Sequence, residues 1–248
     1  MEAKFALEFA FAAVVLVVAY AVRGTTGFGG QAIAVPLMAL ILPLQVVVPA
    51  ITVLTALSSF TYWRRDRDRI AWSEILKLLP FTLLGVALGL WVFRMVDPAT
   101  LTRSFGVFII LYALFSLRRV ERASSPPPRL ARLIGSVLST LSGALGAIFG
   151  AAAGPLYVIY FNLLRYEKNA FRATVTTILM FQAVARIVGY AQLGFYDDTV
   201  LLLIALGLPL MLIGAKIGGI VGRRIEQSLF NRCVAGLLLV SGIALILK

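Results

Sequence analysis

Ten apolar runs divide the chain, at about 5–23, 31–42, 44–63, 73–93 and 99–117, then at 133–149, 151–164, 171–191, 199–222 and 231–247. At 1.5 Å per residue most of the longer runs cross a hydrocarbon core of ~30 Å, whereas 31–42 and 151–164 cover about half to two-thirds of it. With 60% of its 248 residues hydrophobic and a mean hydropathy of +0.96, the chain carries more apolar length than one water-soluble core can bury. It reads as an all-α integral membrane protein. It has no His and one Cys, Cys233, which removes His-based catalysis, the usual metal sites and any internal disulfide. No enzyme activity, metal or cofactor is expected. The net charge of +12 sits in short basic clusters between apolar runs, where membrane orientation accounts for it without nucleic acid. Phe9 to Ala19 resembles a signal-peptide core, with Ala19-Tyr20-Ala21 as a small-x-small site. Glu2 offsets Lys4, however, and the segment has a counterpart later in the chain, so it is expected to stay as a helix.

Self-comparison divides the chain into two halves. Gly24-x-x-Gly27 aligns with Gly143-x-x-Gly146, and Pro36-Leu37 with Pro155-Leu156, at a separation of 119. Pro80, Gly85 and Gly89 align with Pro209, Gly214 and Gly218, and Arg94, Asp97 and Arg103 with Arg223, Glu226 and Arg232, at 129. The difference, 129 − 119 = 10 residues, falls mostly around Leu163 to Arg172. The expected units are a first transmembrane repeat over 1–118, a charged, Pro-rich cytoplasmic linker over 119–132, and a second repeat over 133–248.

Lys and Arg accumulate in cytoplasmic loops. Segments 64–69, 118–132, 165–172 and 223–232 hold fifteen of the 23 basic residues and are placed inside. Segments 43–45 and 191–198 hold none, 94–103 holds two, and these are placed outside. The basic 64–69 loop stands where its repeat partner is the acidic 191–198 loop, with Asp197 and Asp198. Opposite sidedness of corresponding loops requires two inverted repeats, each crossing the membrane an odd number of times. A broken or re-entrant helical hairpin followed by three transmembrane helices meets that condition. Hairpin 5–42 then enters and leaves outside, and hairpin 133–164 inside.

The hairpin breaks are where binding chemistry is expected. Gly24, Gly27, Gly29 and Gly30 let the backbone bend, although small residues also serve close helix packing in membranes. Thr25, Thr26 and Gln31 add donors and acceptors, and the short helices after each break aim their N-termini at the membrane interior, which favours an anion. The second break contributes Gly143, Gly146 and Gly150. Backbone of this kind at membrane depth must be enclosed by protein or a water-filled cavity, so the breaks are expected to face each other. Arg186 follows Thr174, Ile178 and Gln182 at four-residue steps and shares their helix face. It either meets a substrate in the bundle or snorkels to the outer end. Arg23 either neutralises the same anion or caps the first helix. Thr52, Thr55 and Ser59 make a hydroxyl stripe, as do Thr174 and Thr177, for binding or for interhelical hydrogen bonds. All eleven carboxylates lie in loops or within about two turns of a span end. None is placed as an intramembrane proton relay.

Two Gly-rich breaks each lead to a Pro-Leu, a basic loop separates Tyr62-Trp63 from Ile70-Ala71-Trp72, and a Pro-x4-Gly-x3-Gly pattern occurs twice. In these features, and over nearly its whole length, the chain resembles the TauE/SafE sulfite exporter family, also called the toluene-sulfonate uptake permease family. The resemblance implies a secondary carrier of sulfite, organosulfonates or related sulfur-containing anions across the bacterial inner membrane. Gly150-Ala151-Ala152-Ala153-Gly154 stands where a denser glycine run is expected, which bears on the substrate more than on the fold. The expected function is anion transport by alternating access around a central site at the two breaks. The anion and the lipid bilayer are the expected partners, nucleic acid is not, and a homodimer stays open. An anion channel and a non-transport membrane subunit are the alternatives.

Overall fold

A computed structural model describes residues 2–26, 30–65, 67–117, 127–150, 153–221 and 227–248. Among these residues are ten α-helices: α1 (Glu2–Thr26), α2 (Gly30–Ala39), α3 (Leu44–Arg65), α4 (Trp72–Met95), α5 (Pro98–Leu117), α6 (Pro128–Phe149), α7 (Ala153–Leu163), α8 (Lys168–Gln192), α9 (Asp198–Val221) and α10 (Gln227–Leu247). Each apolar run of the sequence becomes one helix. The two short runs form the short helices α2 and α7, and α4, α6, α8 and α9 are long and apolar enough to cross a membrane. The protein is an all-helical, multi-pass integral membrane protein. Its outer faces fit that solvent: Leu84, Leu88 and Trp91 of α4 and Leu202 and Leu212 of α9 are exposed. One boundary differs from expectation. α6 begins at Pro128, so the end of the expected linker is already helical, with Pro at the first position where its missing N–H costs nothing.

Glycine decides which helices touch. On α4, a Cβ at Gly85 or Gly89 would overlap the carbonyl oxygens of Thr140 and Ala144 on α6, and one at Gly143 would overlap Thr82 O. The second such crossing joins α9 to α1. A Cβ at Gly214 or Gly218 would overlap the carbonyls of Val17 and Ala21, and one at Gly24 would come within 2.8 Å of Ala215 O. Without side chains the backbones close to van der Waals contact, the main source of helix affinity where lipid and core are equally apolar. The same pair of motifs is therefore used twice, the first helix of each half packing on the fourth helix of the other.

These contacts also fix directions. α4 and α6 run parallel, since Gly85 meets Thr140 and Gly89 meets Ala144. α8 runs with them, because Ala71 N–H donates to Thr174 Oγ1 at 3.0 Å and Leu90 packs on Gly189. α1 runs parallel to α9 by the pairs Val17–Gly214 and Ala21–Gly218, and to α3 by Tyr20–Thr55 and Arg23–Ser59. α5 and α10 are antiparallel: Gly106 meets Ile246, and Gly242 meets Ile110. The turn at 67–71 lies against the start of α8, so α1 and α3 run towards the end where α4, α6 and α8 begin. α7 returns to that end, bringing Tyr160 beside Gly135 and Glu74. α2 packs back on α1 and leads to the start of α3 at the other end. The two hairpins, α1–α2 and α6–α7, thus open towards opposite ends of the bundle.

Acidic caps start two of the helices at that second end. Asp97 Oδ1 accepts from Thr100 N–H at 2.9 Å, and Asp197 Oδ1 from Val200 N–H at 2.8 Å, satisfying first-turn donors. The Thr100 N–H holds the Asp97 carboxyl below its ordinary value. A lowered folded-state value gives a contribution that is complete above the ordinary carboxylate range and is lost as pH falls through the lowered value. Asp97→Ala is expected to lower the detergent melting temperature slightly at neutral pH, and the difference from wild type should shrink in acid. A thermal melt at two pH values measures it.

Candidate functional site

Two buried polar clusters lie where the hairpins meet their neighbours. In the first half, Arg23, only 4% exposed, donates from Nε to Ser58 Oγ at 3.1 Å and from a terminal nitrogen to Ser59 Oγ at 2.5 Å. One turn earlier, Tyr20 OH and Thr55 Oγ1 are 3.2 Å apart. The α3 hydroxyls also spend their protons locally: Thr52 donates to Val48 O and Ser59 to Thr55 O, both at 2.7 Å. The stripe on α3 is thus engaged in hydrogen bonds within and between helices.

In the second half the direction is reversed, and side chains of α8 reach the backbone of α6. Gln182 Nε2 donates to Ser142 O at 2.7 Å, Arg186 to Gly146 O at 2.5 Å, and Tyr190 OH to Ala147 O at 2.5 Å. These carbonyls lie in the last turns of α6, at the negative end of its dipole, where a cation is favoured. Arg186 is 2% exposed and Gln182 fully buried, so Arg186 turns into the bundle and does not snorkel. Arg186 Nε and Gln182 Oε1 make no hydrogen bond among the described residues. The titratable groups nearest Arg186 among the described residues are the phenols of Tyr190 and Tyr196, and no carboxylate is among them. Burial pushes the Tyr196 phenol, in the turn after α8, up to about 12, with Arg186 pulling it back. It therefore supplies no counter-charge at neutral pH.

The other expected residues fall into place around these clusters. Gly24 and Gly143 sit at the two close helix crossings. Gly146 provides the carbonyl that Arg186 binds. Gly150 ends α6 with φ of +71°, a left-handed conformation that glycine adopts without strain. A Cβ there would meet Val35 of α2 and Val48 of α3 at 3.4 and 3.2 Å. The second break therefore rests on the first half. Gly30 packs on Ala19 and Arg23, and Gln31 Nε2 is buried without a hydrogen bond among the described residues. Thr177 donates to Ala173 O at 2.7 Å, while Thr174 receives Ala71 N–H. Thr25 and Thr26 close α1; their side chains, and Gly27 and Gly29 altogether, lie outside the described residues.

Sequence reasoning missed Tyr20, Ser58 and Tyr190. Tyr190 was within reach, since it continues the four-residue ladder Thr174, Ile178, Gln182, Arg186 by one more step. Thr82 and Tyr157, whose hydroxyls are 2.6 Å apart between α4 and α7, carry no local signal of that kind.

No solved structure matches this chain. Among curated proteins, the probable inner membrane transporter protein TsaS of Comamonas testosteroni is 27% identical over 180 residues, covering 71% of this chain and 73% of that protein. The family model for the sulfite exporter TauE/SafE matches residues 11–245. A match from the first helix to the last, on a bundle whose duplicated glycine motifs form its main crossings, makes this chain a member of the TauE/SafE family.

Proposed function

We propose that the chain is a secondary carrier of a small sulfur-containing anion, sulfite or an organosulfonate, across the bacterial inner membrane. One observation carries this reading: a guanidinium buried in a transmembrane bundle, without a carboxylate partner and with Nε unspent among the described residues. A buried charge of this kind is costly unless an opposite charge visits it. An oxyanion fits, since it accepts N–H bonds and neutralises one cation. The family and the relative's name point to transport over catalysis.

Alternating access follows from inverted repeats. Three features support the inversion: hairpins open to opposite ends, α5 and α10 run antiparallel, and first and fourth helices exchange partners between the halves. Rocking of one half against the other then exposes Arg186 to each side in turn. The basic loops at 64–69 and 165–172 face the cytoplasm in this reading, by the positive-inside rule. Single cysteines replacing Asp68 and Asp197, in a chain with Cys233→Ser, are expected to react from opposite sides of intact cells with a membrane-impermeant maleimide. Labelling of both from one side would overturn the inversion. Transport is tested by uptake of sulfite, methanesulfonate, sulfate and chloride into proteoliposomes, with saturation expected for the first two; unsaturating chloride current would point to a channel instead.

A further inference from the structure

Gln182 and Arg186 of α8 carry polar atoms that their contacts with α6 leave unused. Ser139, Ser142 and Gly146 occupy one face of α6 at three- and four-residue steps. Both serines are fully buried and lie beside the Tyr157 phenol, which bonds Thr82. Gln182 Oε1 and Arg186 Nε complete no hydrogen bond among the described residues. Both side chains are at least nine-tenths buried. Buried polar atoms of native proteins are paired, so these two call for a partner that brings both an acceptor and a donor.

Their chemistry differs in kind. Arg186 Nε can only donate. Gln182 is fixed by its neighbour: its amide NH2 faces the Ser142 carbonyl at 2.7 Å, and a carbonyl accepts only from the NH2 end. Oε1 is therefore the free end, and it can only accept. A fully ionised sulfite or sulfonate offers acceptors alone and leaves Oε1 unsatisfied. The single guanidinium likewise balances one negative charge and not two.

We infer that Gln182 and Arg186 form a subsite for an oxyanion of single negative charge that carries one proton, such as hydrogensulfite. An ionised oxygen takes Arg186 Nε–H, and its hydroxyl donates to Gln182 Oε1. The proton then crosses the membrane on the substrate, which accounts for transport without a buried carboxylate. This rests on the anion-carrier reading above. The titratable groups around the subsite are Arg186 and Tyr190 of α8, Tyr157 of α7 and Tyr196. α3, α4 and α6 present hydroxyl, apolar and backbone groups at this level, with Glu74 and Lys77 of α4 about two and about one and a half turns before Thr82. Arginine stays charged and phenols neutral over the range tested, so the substrate is the group that titrates.

The test is sulfite uptake into proteoliposomes at fixed total concentration, with equal pH inside and out, in steps across the second ionisation of sulfite. The rate is expected to follow the monoanion fraction, and methanesulfonate, which has no donor, is expected to compete roughly tenfold more weakly than hydrogensulfite. Gln182→Met, similar in size but without the acceptor, should bring that ratio close to one. A rate that follows the dianion or ignores pH, or a ratio unchanged in Gln182→Met, overturns the inference while leaving the carrier in place. Absence of uptake of either anion at every pH overturns the carrier reading itself.

Discussion

Arg186→Ala is expected to reduce anion uptake at least tenfold and to destabilise the protein, because two kinds of partner are lost together. The Gly146 carbonyl, which Arg186 binds at 2.5 Å, keeps the Gly150 N–H at 2.9 Å but loses a hydrogen bond from a charged donor, at a cost of about 1.5–3 kcal/mol. The subsite also loses its positive charge. Arg186→Lys separates these effects. A lysine keeps the charge and one N–H for Gly146 O but has no second, rigidly held donor in place of Nε. It should melt close to wild type in detergent and still transport several-fold more slowly. If Arg186→Ala transports as well as wild type, the guanidinium serves only to tie α8 to α6.

Gly85→Ala and Gly218→Ala should be the most destabilising substitutions of their size. A methyl at either position overlaps a backbone carbonyl, of Thr140 or Ala21, and no flexible side chain is present to yield. The helices must separate, at a cost of about 3 kcal/mol each, the upper end of ordinary overpacking. The control is adjacent in sequence. Gly219 has nothing within 4 Å of a built Cβ, so Gly219→Ala is expected to be neutral or to stabilise by a few tenths of a kcal/mol through helix propensity. Comparable melting temperatures for Gly218→Ala and Gly219→Ala in detergent would refute the close crossing of α1 and α9.

The helices were legible because hydrophobic run length alone sets them: all ten runs recur as helices, with ends shifted by a few residues. The glycine motifs were legible as motifs, and self-comparison paired them by their spacing. Their physical partners were hidden. Gly143 aligns with Gly24, yet it packs against Thr82 and Gly85, the other repeated motif of the opposite half. Spacing along one helix reveals a face but not the helix that will cover it. The same limit applied at Arg186: four-residue steps gave its neighbours on α8, while its partner is a carbonyl of α6, a group every residue possesses and no sequence pattern marks. The α3 hydroxyls show the converse. Their stripe was visible, but only the fold shows that Thr52 and Ser59 return their protons to their own helix.

The exchange of first and fourth helices has a consequence for biosynthesis. α1 leaves the ribosome early, but the helix that covers its glycine face, α9, begins only at Asp198. At the usual elongation rates of about 5–20 residues per second, α1 waits roughly 10–35 s with Val17, Ala21 and Gly24 facing lipid or the insertion machinery. α4 waits far less for α6, which follows it after one intervening helix. The half made first is thus completed last, and a nascent chain stalled before α9 leaves the face of α1 that α9 covers without its partner.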